Sequence, residues 1–163
     1  MKGNSAHQTL SLCMIVKDEE EYIGRCIESV QELVDEMVIV DTGSSDNTIK
    51  IASGLGASVY HAPWENDFSR SRNISLDKSR ADWILVLDAD EVISGRDHGL
   101  IRDLISKREY FGFKLDQRSY GMDPNFINWI KTRGVYPEEA GYPGYVSSPL
   151  IRLFRNDPRI RFE

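Results

Sequence analysis

The chain has 163 residues and a net charge of −6, with 40% hydrophobic and 28% charged residues. That is enough for one domain with a core of its own, in the range of ordinary globular proteins. No basic stripe marks a nucleic-acid surface. No apolar stretch is long enough to span a bilayer, and Met1 to Gln8 lack the apolar run of a secretion signal.

Leu10 to Val16 is a short, nearly continuous apolar run, which reads as a buried strand. Lys17 to Glu21 follows, and Asp18 with Glu21 has the spacing of a capping box. Ile23, Cys26, Ile27, Val30, Leu33 and Val34 recur at helical spacing. Met37 to Asp41 is a second strand ending in a carboxylate, and Thr42 to Asp46 is a turn offering helix caps. Ile49, Ala52 and Leu55 mark the next helix, with Gly56 to end it. Ala57 to Tyr60 is a third strand. Asp67 can cap a helix carrying Phe68, Ile74 and Leu76, with Arg70, Arg72 and Asn73 on its first turns. Trp83 to Leu87 is a fourth strand. Strands alternating with helices predict an α/β fold with a mainly parallel sheet and right-handed crossovers.

The texture changes after Glu91. Leu100, Ile101, Leu104 and Ile105 mark a short helix, and Phe111, Phe113 and Leu115 alternate as a half-buried strand. Residues 117–148 are rich in Gly, Pro, Tyr and Asn, which predicts a binding loop or a mobile segment. Leu150 to Phe154 is a late strand, and Arg159 to Phe162 begins another. The chain stops there in mid-element, so an acceptor-side continuation is expected to be missing. Two cysteines, Cys13 and Cys26, suggest small buried residues rather than a disulfide framework. Cytoplasm is the expected location, with docking at the inner membrane face and self-association left open.

Chemistry concentrates at Asp88-Ala89-Asp90-Glu91, directly after the fourth strand. Open parallel sheets bind ligands beyond the carboxyl ends of their strands. On an extended backbone residues i and i+2 point the same way, so Asp88 and Asp90 would converge. Two such charges call for a cation or proton between them. A hard divalent ion shared with phosphate oxygens meets that need, while a solvated turn is the plainer reading. Asp41 can accept from a ribose or base, or simply stabilise its own turn. Arg72 can pair with phosphate or stack on a base, or be a surface arginine.

Four ordered segments, Leu12 to Glu20, Val40 to Thr48, Asp67 to Asn73 and Leu87 to Glu91, together resemble glycosyltransferase family 2. The nearest subgroup makes lipopolysaccharide core and related surface glycans. The resemblance covers residues 10–95, and Arg152-Leu153-Phe154-Arg155-Asn156 resembles a later motif of that subgroup. It implies a GT-A fold, a Rossmann-like nucleotide-sugar-binding domain with a mixed sheet, spanning residues 1–163 as one domain. It implies inverting transfer from a nucleoside-diphosphate sugar, expected to be a UDP-sugar, to a glycan or lipid-linked acceptor, with Mn2+ or Mg2+. By position, Val16 and Glu19 would lie at the nucleoside and Asp41 at the base or ribose. Arg72 would serve the base or diphosphate, Asp88 the ribose or metal, and Asp90 the metal.

An inverting transferase also needs an acceptor-side base. Glu138, Glu139 and Asp116 are the nearby carboxylates, and none sits in a matching motif. Two other readings stay open. One is a nucleotide-sugar-binding module without turnover. The other takes Asp88-Ala89-Asp90-Glu91-Val92 as the signature of a haloacid-dehalogenase-like phosphatase. The later Ser/Thr and Lys that such a fold needs find only Lys131 and Thr132, in the irregular region, and no late acidic pair follows an apolar run. Gly54-Leu55-Gly56 follows a helix rather than a strand, so a helix end explains it better than a dinucleotide fingerprint.

Overall fold

The structure is a computed structural model that describes residues 7–163. The expectation about Met1 to Gln8 therefore falls mostly outside the described residues. The first half alternates as predicted: β1 (Leu10–Val16), α1 (Ile23–Val30), β2 (Glu36–Asp41), α2 (Thr48–Gly54), β3 (Ser58–His61), α3 (Phe68–Lys78) and β4 (Trp83–Val86). Then come α4 (His98–Ile105), β5 (Gly112–Gly121), β6 (Trp129–Lys131) and β7 (Gly144–Arg155).

All seven strands share one sheet in the order β3-β2-β1-β4-β7-β5, with β6 on β7. Pairs among β3, β2, β1 and β4 are parallel, and every pair involving β7 is antiparallel. A mixed, mainly parallel α/β sheet is thus the fold. Strand order reverses direction between β1 and β4, and such a switch point opens a crevice at the carboxyl ends of the strands.

Alternation along the strands divides the core in two. Leu10, Leu12, Met14 and Val16 of β1 face Ile23, Cys26, Ile27 and Val30 of α1 and Ile101 and Ile105 of α4. Cys13, Val38, Ile84, Val86 and Phe154 pack with Leu76 of α3 on the other face. Strands covered on both faces read as unbroken apolar runs, which is why these were legible. Residues 117–148 are not one loop. β5 pairs with β7 through Gly121↔Gly144, and β6 adds Trp129↔Val146. Period-2 alternation of apolar and polar residues fades there because much of that ribbon is exposed on both faces.

Two local expectations fail for one reason. Asp18 does not cap α1, which begins at Ile23 behind Tyr22 with no side-chain cap. Arg159 to Phe162 is not a strand. In both cases side chains far along the chain take the backbone groups first, as the site shows. Asp67 does cap α3, accepting from Arg70 N at 2.9 Å. Gly56 does end α2, with φ of +92°, a conformation glycine adopts without a Cβ penalty.

Candidate active site

The acidic stretch leaves β4 as a turn rather than as an extended strand. Glu91 N donates to Asp88 O at 3.0 Å, and Asp88 N donates to Glu91 Oε2 at 2.9 Å. The backbone here is therefore a turn rather than the extended strand expected, and it brings Asp88 and Glu91 together. Asp90 is exposed at its apex. Cys26 Sγ donates to Asp88 O from below at 3.6 Å. Burial, with Glu91, Asp90 and Asp88 close by, pushes that thiol up to about 12.

The charge of Asp88 is already answered by arginines. Arg152 Nη2 lies 3.0 Å from Asp88 Oδ2 and 2.6 Å from Glu91 Oε1. Arg72 Nη2 lies 3.4 Å from Asp88 Oδ1. Arg72 is itself held between two rings, its guanidinium carbon 5.7 Å from the Phe68 centroid and 5.4 Å from that of Phe162. Phe162 reaches it because residues 157–163 fold back onto α3. Asn73 Nδ2 donates to Phe162 O, and Phe162 N donates to Asn73 Oδ1, both at 3.0 Å.

On the β1 side the loops after β1 and β2 are laced together. Asp18, in the left-handed region at φ +53°, accepts from Ser45 N at 2.7 Å, and Asp18 N donates to Ser44 Oγ. Glu19 N donates to Thr48 Oγ1, and Glu20 accepts from Asn47 N. These bonds consume the groups that a capping box would have used. Burial and the charges of Asp90, Asp46, Asp18 and Asp88 raise the Glu19 carboxyl above its ordinary value. Burial likewise raises Glu91, outweighing the Asp88 amide and Arg152.

Val16 ends β1 and is buried. Asp41 is fully buried, accepting from Gly43 N at 3.0 Å and Ser44 N at 3.2 Å, with His61 Nδ1 at 3.1 Å. Burial alone would raise its pKa. The bonds from Ser44, Gly43 and His61 outweigh burial and hold Asp41 below the ordinary value. The geometry is that of a turn-stabilising carboxylate, and His61 rather than Asp41 stands in solvent.

The three base candidates differ sharply. Glu139 is buried and accepts from the backbone amides of Arg133, Gly134 and Val135 and from Arg118. Asp116 is engaged by Arg118 and Ser147. Glu138 is half-buried and accepts from Ser94 Oγ at 3.1 Å, on the loop that follows the acidic turn. Lys131 and Thr132 lie in and just after β6, where Thr132 Oγ1 donates to Tyr142 O at 2.9 Å. That spends the hydroxyl a phosphatase would need free.

Sequence reasoning missed Arg152 as a site residue. The signal was faint: one cation inside an apolar strand whose register, Leu153↔Leu85, sets it beside the end of β4. Its neighbours in the same motif are structural. Asn156 Nδ2 donates to Ala81 O and Ser79 O, and Arg155 Nε donates to Tyr110 O.

Among the described residues no group of three or more His, Cys, Asp or Glu forms a metal cage. A Mg2+ or Mn2+ site built from one or two carboxylates plus phosphate oxygens needs no such cage. Asp88 and Asp90 are hard oxygen donors at an accessible edge, so they fit an ion of that class.

Comparison with known proteins agrees with this fold. The family described as "Glycosyl transferase family 2" matches residues 11–156. A TPR repeat-containing protein of Synechococcus elongatus is 38% identical over 98% of this chain and 34% of its own length. The glycosyltransferase SunS of Bacillus subtilis, of prophage origin, is 26% identical over 94% of this chain and 33% of its own. The chain thus spans about a third of the length of the curated relatives it matches. Among solved structures, glucosyl-3-phosphoglycerate synthase of Mycobacterium tuberculosis, crystallised with Mn2+ and UDP-glucose, shares the fold. It has a TM-score of 0.55 at 23% identity, over 65% of this chain and 42% of that one.

Proposed function

The chain belongs to glycosyl transferase family 2, and we propose that it supplies the donor-binding side of a sugar transfer. The donor is a nucleoside-diphosphate sugar, expected to be a UDP-sugar. The acceptor is a glycan or lipid-linked molecule, the anomeric carbon is inverted, and a divalent ion takes part. The observation that carries this reading is the acidic turn at the switch point between β1 and β4, flanked by two arginines.

Each side chain then has a task. Val16 and Glu19 border the nucleoside, and Asp41 acts through the turn of Thr42 to Ser45 that it holds in place. Asp88 and Asp90 hold the ion, with Asp88 also within reach of the ribose. When bound, the ion neutralises the departing diphosphate as a Lewis acid. Arg72, fixed between Phe68 and Phe162, presents a planar donor set suited to phosphate oxygens. Glu138 is the favoured base on the acceptor side, because Glu139 and Asp116 are committed to structural partners. Exposed Met122, Phe126 and Ile127 beyond β5 suit an acceptor with an apolar part, or contact with a lipid surface. Among the described residues no helix is long and apolar enough to cross a membrane.

Calorimetry with UDP and UDP-glucose tests the reading, in Mn2+ and again in EDTA. Binding that requires the ion supports it, and equal affinity in EDTA removes the ion from it. A second reading, donor binding without turnover, is favoured by the structural commitments of Glu139 and Asp116. A sugar-transfer assay on this chain and on Glu138→Gln separates the two. Transfer by the wild type that falls about 100-fold or more in Glu138→Gln supports turnover with that base. Binding with no transfer leaves the module.

A further inference from the structure

We propose that Arg152 is a resident counter-ion of the acidic turn, which yields Asp88 to the divalent ion and stays tethered to Glu91. This rests on the reading of Asp88 and Asp90 as the ion's carboxylates and adds the residue that governs access to them. Arg152 comes from β7, 64 residues beyond Asp88, and its side chain is only 14% exposed. One nitrogen, Nη2, touches both Asp88 Oδ2 and Glu91 Oε1. Arg72 takes the other oxygen of Asp88. Both oxygens of the proposed ion ligand therefore lie on guanidinium groups. A divalent ion and a guanidinium on one carboxylate oxygen repel at contact distance, so ligation through Oδ2 requires Arg152 to let go.

The two contacts of Arg152 are unequal in a way that suits exchange. Glu91 is 13% exposed and its other oxygen is fixed by Asp88 N, whereas the Asp88 carboxylate is 42% exposed. The buried contact, at 2.6 Å, is the anchor, and the 3.0 Å contact on the open side is the one to break. Once released from Asp88, the guanidinium keeps its place beside the turn, with donors free for the oxygens of a diphosphate. Arg152 thereby offsets the repulsion among Asp88, Asp90 and Glu91.

The test measures Mn2+ alone, by the paramagnetic resonance of the free ion, on wild type, Arg152→Gln and Arg152→Lys. Removing the competing charge should tighten Mn2+ binding roughly tenfold in Arg152→Gln, the scale of one charge-assisted hydrogen bond. Arg152→Lys, which keeps the charge, should stay near wild type. In EDTA, Arg152→Gln should melt below wild type, and Mn2+ should raise its melting point by more. Equal or weaker binding by Arg152→Gln overturns the exchange, as does equal tightening by the lysine variant. Mn2+ uptake by Arg152→Gln alone supports it. No uptake by any variant overturns it, while the calorimetry with UDP in Mn2+ and in EDTA decides the ion's part in the proposed function separately. In wild type, a Mg2+ titration should shift the Arg152 Nε–H resonance, and an unmoved resonance at saturation overturns the proposal even if Arg152→Gln does not fold.

Discussion

Asp41 ends β2 and Asp90 sits on the turn beyond β4, and burial sends them opposite ways. Asp41 spends its oxygens on Gly43, Ser44 and His61. Removing it would leave two backbone amides without their acceptor. Asp41→Ala should therefore lose roughly 2 kcal/mol of stability in urea denaturation. Its folded pKa is depressed, so its stabilisation is present above the unfolded value of about 3.9 and lost as pH falls through the folded value. The stability gap between wild type and Asp41→Asn should therefore shrink below about pH 4. Asp90 is exposed and joins neither arginine. Asp90→Asn should leave the melting point unchanged while weakening Mn2+-dependent UDP binding, read by calorimetry. A lowered melting point with normal binding would make Asp90 a turn residue only.

At the scale of elements, the segment after α4 is an antiparallel ribbon pinned at a few points. Gly144 is one. A Cβ there would run into the Trp129 ring and sit 2.5 Å from Ile130 O. Gly144→Ala should displace β6 and cost about 1–3 kcal/mol, with a change in Trp129 fluorescence. Glu139 is another, gathering three consecutive amides and Arg118, whose guanidinium lies 4.4 Å from the Tyr136 ring and 4.7 Å from that of Tyr145. Glu139→Gln should speed hydrogen exchange at Gly134 and Val135 while leaving the amides of β1 and β4 slow. Uniform acceleration across the chain would mean that the ribbon and the parallel half open as one unit.

Across the molecule, the two faces of the parallel half bury one thiol each. Cys13 packs against α3 and donates to Ser75 O, and Cys26 sits beneath the acidic turn. Burial is the first cause that pushes both thiols up to about 12. Because the thiolate is the reactive form, neither should be alkylated by iodoacetamide at neutral pH until the protein unfolds. Reaction of Cys26 in the folded state, blocked by Mn2+ and UDP, would instead show that the turn above it opens. Ligation and global stability are linked in the same way. A ligand that binds only the folded chain raises the melting point by mass action, so Mn2+ with UDP should protect by more than the two separate effects added together.

The sequence by itself determined the alternation of β1 through β4 with their helices, the Asp67 cap, the end of α2 and the family. Those features are local: apolar spacing, turn residues and short motifs report what a segment buries regardless of its distant partners. It also placed the carboxylates at the strand ends, because an apolar run followed by Asp marks the end of a buried strand. Only the tertiary structure decided which cations meet them. Arg152 reaches Asp88 across 64 residues through the antiparallel register of β7 on β4, and Phe162 reaches Arg72 because Asn73 captures its backbone. Asp18 leaves its helix for Ser45 for the same reason. A polar side chain can satisfy its hydrogen bonds with many partners, and the choice among them follows from strand register and packing, which no short stretch of sequence encodes.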